Sequence, residues 1–108
     1  MPKPLIAANW KMNKNIEESI SFINNFKNSS KKIKNAEIAI CPPFTSLNEV
    51  NKIIKGSNIK IGAQNMHYED NGAFTGEISP LMLKDAGCDY VILGHSERRE
   101  YFNEDNQL

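Results

Sequence analysis

The chain has 108 residues, of which 40% are hydrophobic and 24% are charged, and thirteen basic residues balance thirteen acidic ones. This length fits a single domain, and the apolar share is large enough to bury a core, which excludes a disordered or fibrous protein. The balanced charge provides no general attraction to nucleic acid or to an anionic membrane.

The amino terminus and the two cysteines indicate the cellular compartment. The first apolar run is too short for the hydrophobic core of a signal peptide, and no stretch approaches the roughly 20 consecutive apolar residues of a membrane span. Cys41 and Cys88 are isolated in the sequence and form no CxxC motif, so we expect reduced thiols rather than a disulfide or a metal site. We therefore expect a soluble, cytoplasmic protein without a bound metal.

Four short apolar runs predict β-strands, at residues 5–8, 38–41, 59–63 and 90–93. Short apolar runs without polar alternation are typical of strands buried on both faces of a parallel sheet. The segments between the runs have the properties of helices, so strands and helices alternate along the chain. This alternation predicts right-handed βαβ units and a parallel α/β sheet.

The first predicted helix covers residues 15–28, where Asn15 and Glu18 are spaced as in a capping box. On a helical wheel its apolar residues share one face, and they are Ile16, Ile20, Phe22, Ile23 and Phe26.

The second helix is predicted to begin at Ser46, which would form a capping box with Glu49, and to end at Gly56. The third is predicted to begin with Ser79 as its cap and Pro80 in its first turn, and to end at Gly87.

Beyond the fourth strand, Asp105 has the character of a helix cap, but the sequence stops three residues later. We therefore expect a chain truncated at the start of the helix that follows the fourth strand.

Polar residues follow each predicted strand, and ligands of parallel α/β folds bind at the carboxyl ends of the strands. Asn9 and Lys11 follow the first strand and His95 follows the fourth. A helical turn beginning at Ser96 would favour a neutral imidazole at His95, which can donate a hydrogen bond to a carbonyl oxygen. Taken singly, a lysine here is more often solvated surface and a histidine more often a hydrogen-bonded loop residue. We interpret His67 in that structural way.

Taken together, four motifs resemble the triosephosphate isomerase family. In chain order these are Asn9-Trp10-Lys11-Met12-Asn13, Gly62-Ala63-Gln64-Asn65, Gly72-Ala73-Phe74-Thr75-Gly76-Glu77, and Val91-Ile92-Leu93-Gly94-His95-Ser96-Glu97-Arg98-Arg99. The resemblance runs in register from residue 5 to the end of the chain. It implies the amino-terminal half of a (β/α)8 barrel, with four of the eight parallel strands and their intervening helices.

The resemblance also implies an activity, the interconversion of dihydroxyacetone phosphate and D-glyceraldehyde 3-phosphate in glycolysis and gluconeogenesis, without a cofactor. Asn9 and Lys11 would contact the substrate, and Lys11 would offset its negative charge. His95 would be the catalytic electrophile, and this family is the standard example of a neutral histidine in that role. Ser96 and Glu97 would line and order the site. Thr75 would reach into the partner subunit of the family's homodimer.

The chain also departs from the family pattern. It has four of the eight strands, and it lacks the carboxylate base, the lid and the phosphate-gripping loops that the family keeps on later strands. We therefore expect the 108 residues alone to be inactive. A non-catalytic half-barrel that acts as a structural or binding module is the alternative, and the coding sequence downstream of Leu108 would separate the two.

Overall fold

A computed structural model describes residues 4–93, 95 and 97. The elements in chain order are β1 (Leu5–Asn9), α1 (Ile16–Ser30), β2 (Glu37–Cys41), α2 (Phe44–Ile54), β3 (Ile59–Ala63), α3 (Pro80–Asp85) and β4 (Tyr90–Val91). All pairings are parallel, and the strand order in the sheet is β1-β2-β3-β4. This confirms the predicted four-stranded half-barrel. The predicted helix cap at Asp105 lies outside the described residues.

Two of the three predicted helix starts are confirmed in detail. The Asn15 side chain accepts a hydrogen bond from the Glu18 N–H at 2.8 Å, and the Glu18 carboxylate accepts one from the Asn15 N–H at 3.0 Å. At α3, the Ser79 hydroxyl accepts a hydrogen bond from the Met82 N–H at 3.1 Å. These bonds satisfy amide groups that have no partner within the first helical turn.

The predicted start of α2 is wrong. The helix begins two residues earlier, because Pro43 supplies a fixed φ of −56° and its carbonyl accepts the Ser46 N–H at 3.0 Å. Ser46 is buried inside the helix, and its hydroxyl forms a hydrogen bond of 3.0 Å with the Ser19 hydroxyl of α1. Glu49 pairs with Lys52 instead of completing a capping box.

The core lies between the sheet and the helices, and its centre comes from β2, β3 and α2. Ile40 and Ile61 are adjacent across the two strands, and both pack in one cluster with Val50 of α2 and Ile23 of α1. Each of these four side chains is at most 1% exposed. Complete burial of such side chains contributes roughly 1.5–3 kcal/mol each.

Burial on both faces holds for β2 but not for β1. Leu5 and Ile6 are 46% and 54% exposed, because β1 is the edge strand of the described sheet and pairs only with β2. The prediction for β4 was also too long. Its ladder covers two residues, although the Ile92 N–H still donates to the Ala63 carbonyl at 2.8 Å.

Within the described ranges, no helix combines the length and the apolar character that crossing a membrane requires.

Candidate active site

The connection after β1 is held in a specific shape. Asn9 ends the strand, and its side-chain oxygen accepts a hydrogen bond from the Lys11 N–H at 2.9 Å. Lys11 has a φ of +57°, in the left-handed region that is uncommon for any residue other than glycine. Trp10 anchors the connection, because its ring is buried against Phe22. Its backbone N–H donates to the Cys41 carbonyl of β2 at 3.1 Å. The backbone at Lys11 is therefore fixed from both sides.

Gln64 connects this loop to the neighbouring strands. It follows β3 directly, and its side-chain amide donates to the Lys11 carbonyl at 2.8 Å and to the Cys41 carbonyl at 2.9 Å. One side chain thus joins the carboxyl ends of β2 and β3 to the loop after β1. A strained backbone conformation persists only where its surroundings hold it, and Gln64 and Asn9 supply that support at Lys11.

His95 lies beyond β4, and its hydrogen bonding indicates its tautomer. The Glu97 N–H donates to His95 Nδ1 at 3.1 Å. A backbone amide can only donate, so this bond requires an unprotonated Nδ1 and leaves the proton of a neutral imidazole on Nε2. The ring therefore presents Nε2–H as a hydrogen-bond donor on the side away from Glu97.

Glu97 brings Lys11 and His95 together. Its Oε1 lies 3.3 Å from Lys11 Nζ and 3.4 Å from His95 Nδ1. The Lys11 and Glu97 side chains are about half exposed, so the lysine charge is accessible to a ligand. An exposed cation beside an N–H donor suits a substrate that carries both an anionic group and a carbonyl oxygen.

The structure brings four of the six predicted site residues to one end of the sheet, namely Asn9, Lys11, His95 and Glu97. Ser96 lies outside the described residues. Sequence reasoning assigned no role to Gln64, although its position directly after a buried strand was the available signal.

Thr75 lies apart from this group, on an exposed turn closed by a hydrogen bond from the Glu77 N–H to the Phe74 carbonyl at 2.9 Å. The turn belongs to the long connection between β3 and α3. His67, which we interpreted as structural, stacks on Tyr68 and lies tilted against Phe74 of this connection. The backbone N–H of His67 donates to the Ile78 carbonyl at 2.8 Å. Among the described residues, no hydrogen bond or ion pair joins Thr75 to Lys11 or His95.

No group of three or more His, Cys, Asp or Glu side chains in the described part of the chain is arranged to hold a metal ion. Cys41 and Cys88 are free thiols. Burial raises the pKa of the Cys41 thiol. Burial and, to a smaller extent, the negative charge of the nearby Asp89 raise the pKa of Cys88 to about 11.

Comparisons with known proteins give one family. A family model described as triosephosphate isomerase matches residues 4–108. The chain is 58% identical to triosephosphate isomerase from Dictyoglomus turgidum over all 108 residues, and 56% identical to that of Aquifex aeolicus over 104 residues. These alignments cover 100% and 96% of the chain, but 43% and 42% of the relatives.

A solved structure indicates the same family as the sequence comparisons. The crystal structure of triosephosphate isomerase from Bartonella henselae superimposes with a TM-score of 0.89 at 42% identity, over 96% of this chain and 43% of that one. The chain thus spans less than half the length of the relatives that it matches. With a family model covering nearly every residue and a sheet of the same architecture, the chain belongs to the triosephosphate isomerase family.

Proposed function

We propose that the protein containing these residues is a triosephosphate isomerase that interconverts dihydroxyacetone phosphate and D-glyceraldehyde 3-phosphate. The observation that carries the proposal is the pairing of a cation and a neutral donor at the carboxyl end of the sheet. Glu97 pairs with Lys11 through its carboxylate and donates its backbone N–H to His95 Nδ1. This geometry and the family membership support the proposed activity.

The chemistry requires a proton to leave the carbon beside the substrate carbonyl while the bonding electrons move onto the carbonyl oxygen. The resulting enediolate carries negative charge on that oxygen. His95 Nε2–H would donate to the oxygen, and the Lys11 ammonium would lower the energy of the accumulating charge. Donors fixed in advance at the position of developing charge are usually the largest single contribution to such catalysis.

The remaining parts of the reaction are assigned by resemblance to the family. The carboxylate that removes the proton would come from a later strand, beyond residues 1–108. On this proposal, residues 1–108 are the first four βα units of an eight-fold barrel and carry the electrophilic side of the active site. Asn9 would contact the substrate, Ser96 would order the site, and Thr75 would contact the partner subunit of a homodimer in the cytoplasm.

The test is a coupled isomerase assay on the natural full-length gene product, with dihydroxyacetone phosphate as the substrate. We expect robust turnover without added metal or cofactor, and no turnover above background from residues 1–108 alone, because the base is absent. A folded full-length protein without isomerase activity would overturn the proposal. The alternative, a non-catalytic half-barrel module, would be favoured by a natural stop codon directly after Leu108.

A further inference from the structure

Lys14 ends the connection after β1, immediately before Asn15, the cap of α1, and its backbone is unusual. Its φ is +72°, and among the described residues other than glycine it shares a positive φ with Lys11. Lysine has neither the missing Cβ of glycine nor the short polar side chain of asparagine, which make this conformation accessible. Local backbone preference therefore does not explain the conformation at Lys14.

The position is also electrostatically unfavourable for a lysine. The amino end of a helix carries a partial positive charge, which disfavours a cation beside it. No ion pair among the residues that the structure describes involves Lys14. An ion pair within the described ranges therefore does not explain where this ammonium group lies.

Two aromatic rings contact the ammonium of Lys14. Its Nζ lies 4.8 Å from the centre of the Phe22 ring and 5.9 Å from the centre of the Trp10 ring, both within the roughly 6 Å of a cation–π contact. The two rings meet edge to face, with their centres 5.4 Å apart. Trp10 is 8% exposed and belongs to the core, so the ammonium lies against a ring that is itself anchored.

This contact closes the turn that carries Lys11. Trp10 directly precedes Lys11, and the Trp10 carbonyl accepts a hydrogen bond from the side-chain amide of Asn13 at 2.8 Å. Phe22 belongs to α1, so Lys14 joins the helix to the residue from which the Lys11 backbone starts. Residues 10–14 thus form a closed turn, with Lys11 inside it.

We propose that Lys14 is a positioning residue of the isomerase reaction, which holds Lys11 in place through the contact of its ammonium with Trp10 and Phe22. The inference rests on the proposed function and adds a residue to it. Lys14 would not touch the substrate. A left-handed backbone persists only where its surroundings hold it, so loss of the cation should let residues 11–14 relax and should displace the ammonium of Lys11.

The test is the steady-state kinetics of the natural full-length protein carrying Lys14→Met, with dihydroxyacetone phosphate as the substrate. Methionine keeps an unbranched apolar side chain but carries no charge. We expect kcat/KM to fall about three- to tenfold, the range that corresponds to one partly buried cation–π contact. Lys14→Arg keeps a cation that stacks on aromatic faces, so it should restore most of the lost kcat/KM.

A double-mutant cycle with Lys11→Met separates positioning from a general loss of structure. If Lys14 acts through Lys11, adding Lys14→Met to Lys11→Met should lower kcat/KM by less than about twofold, because no ammonium is left to position. Lys52→Met, which removes a lysine whose ion pair in the described ranges is with Glu49, should keep the parent's kinetics. Circular dichroism melting curves show whether each variant is folded.

Several results would overturn the inference. Parent-like kcat/KM in Lys14→Met would do so while leaving the proposed function intact. A loss in Lys14→Arg equal to that in Lys14→Met would show that the cation is not what matters. An equal loss from Lys14→Met with and without Lys11 would show that Lys14 acts independently of Lys11. A folded full-length parent without turnover would overturn the proposed function itself, and this inference with it.

Discussion

At the carboxyl end of the sheet, Asn9, Gln64 and Glu97 hold a single lysine, Lys11. At the amino end, one cleft is lined by four lysines, namely Lys27, Lys31, Lys34 and Lys60. Lys11 has its backbone fixed by Asn9 and Gln64 and its ammonium paired with Glu97. Lys31 and Lys60 have no such partners in the described ranges, and only the backbone beneath them is fastened. At the carboxyl end, hydrogen bonds hold Lys11 in one geometry, whereas the amino end is distinguished by its number of positive charges. A substitution at the carboxyl end should therefore have the larger effect, because it changes the position of a group and not only the charge.

The sharpest test of this difference is His95→Gln in the full-length protein. Loss of the imidazole donor should lower kcat about 100- to 1000-fold, as is typical when one donor to a developing oxyanion is removed. Coupled isomerase kinetics measure the effect, and an unchanged melting temperature shows that the fold survives. His67→Gln changes the only other histidine and should leave kcat near that of the parent. Similar kinetics in the two variants would mean that the site has been misplaced.

Lys11→Met should have the next largest effect. It removes the accessible cation of the site, so kcat/KM should fall about ten- to a hundredfold, the range for hydrogen bonds to charged groups. Part of the loss should appear in KM, because the phosphate of the substrate is charged before any reaction occurs. Lys52→Met removes an exposed lysine whose ion pair in the described part of the chain is with Glu49, and it serves as the control. Equal kinetics in the two variants would remove Lys11 from the site.

A smaller loss is expected from Gln64→Ala, because Gln64 acts on Lys11 and not on the substrate. Without its two hydrogen bonds the loop should sample other conformations, and kcat/KM should fall about tenfold. Gln64→Glu keeps the shape of the side chain but has no N–H to donate, so it should lose at least as much. Asn48→Ala, at an exposed position of α2, is the control. Parent-like activity in Gln64→Glu would show that donation to Lys11 is unimportant.

The smallest expected effect concerns alkaline stability near the amino end. The pKa of Cys88 is raised from 9.0 to about 11 in the folded chain, so the unfolded chain loses this proton first as the pH rises. The free energy of unfolding should therefore be level below about pH 8.5 and decrease between about 9 and 11. Urea denaturation at several pH values measures the slope. Cys88→Ala should show a shallower decline, and an identical slope would exclude a contribution from this thiol.

How far the sequence predicts this fold depends on the range of the interactions. The capping residues Asn15 and Ser79 were predicted correctly, because each binds an amide three residues away. The start of α2 was predicted wrongly. Pro43 was the local signal for the earlier start, but the burial of the Ser46 hydroxyl inside the helix involves Ser19, 27 residues earlier in the sequence. The exposure of β1 is equally non-local, since it depends on which strands lie beside it.

The same distinction applies to the site. The strand-end positions of Asn9, Lys11 and His95 predicted a shared edge, because parallel strands align their carboxyl ends. The side-chain contacts of Gln64 could not be predicted, since nothing local to residue 64 indicates that its amide reaches the Lys11 carbonyl. The tautomer of His95 likewise depends on one backbone hydrogen bond, from Glu97.

The Gln64 contact also bears on the order of events during folding. It joins residues 53 positions apart in sequence, and a contact of that span forms only after a long loop has closed. The left-handed conformation of Lys11 is unfavourable on its own, so it should be adopted only once β3 has docked beside β2. During synthesis a chain ending before residue 64 would have the bond from the Lys11 N–H to Asn9 but not the bond from Gln64 to the Lys11 carbonyl. The geometry at Lys11 is thus acquired late, as a product of three assembled βα units.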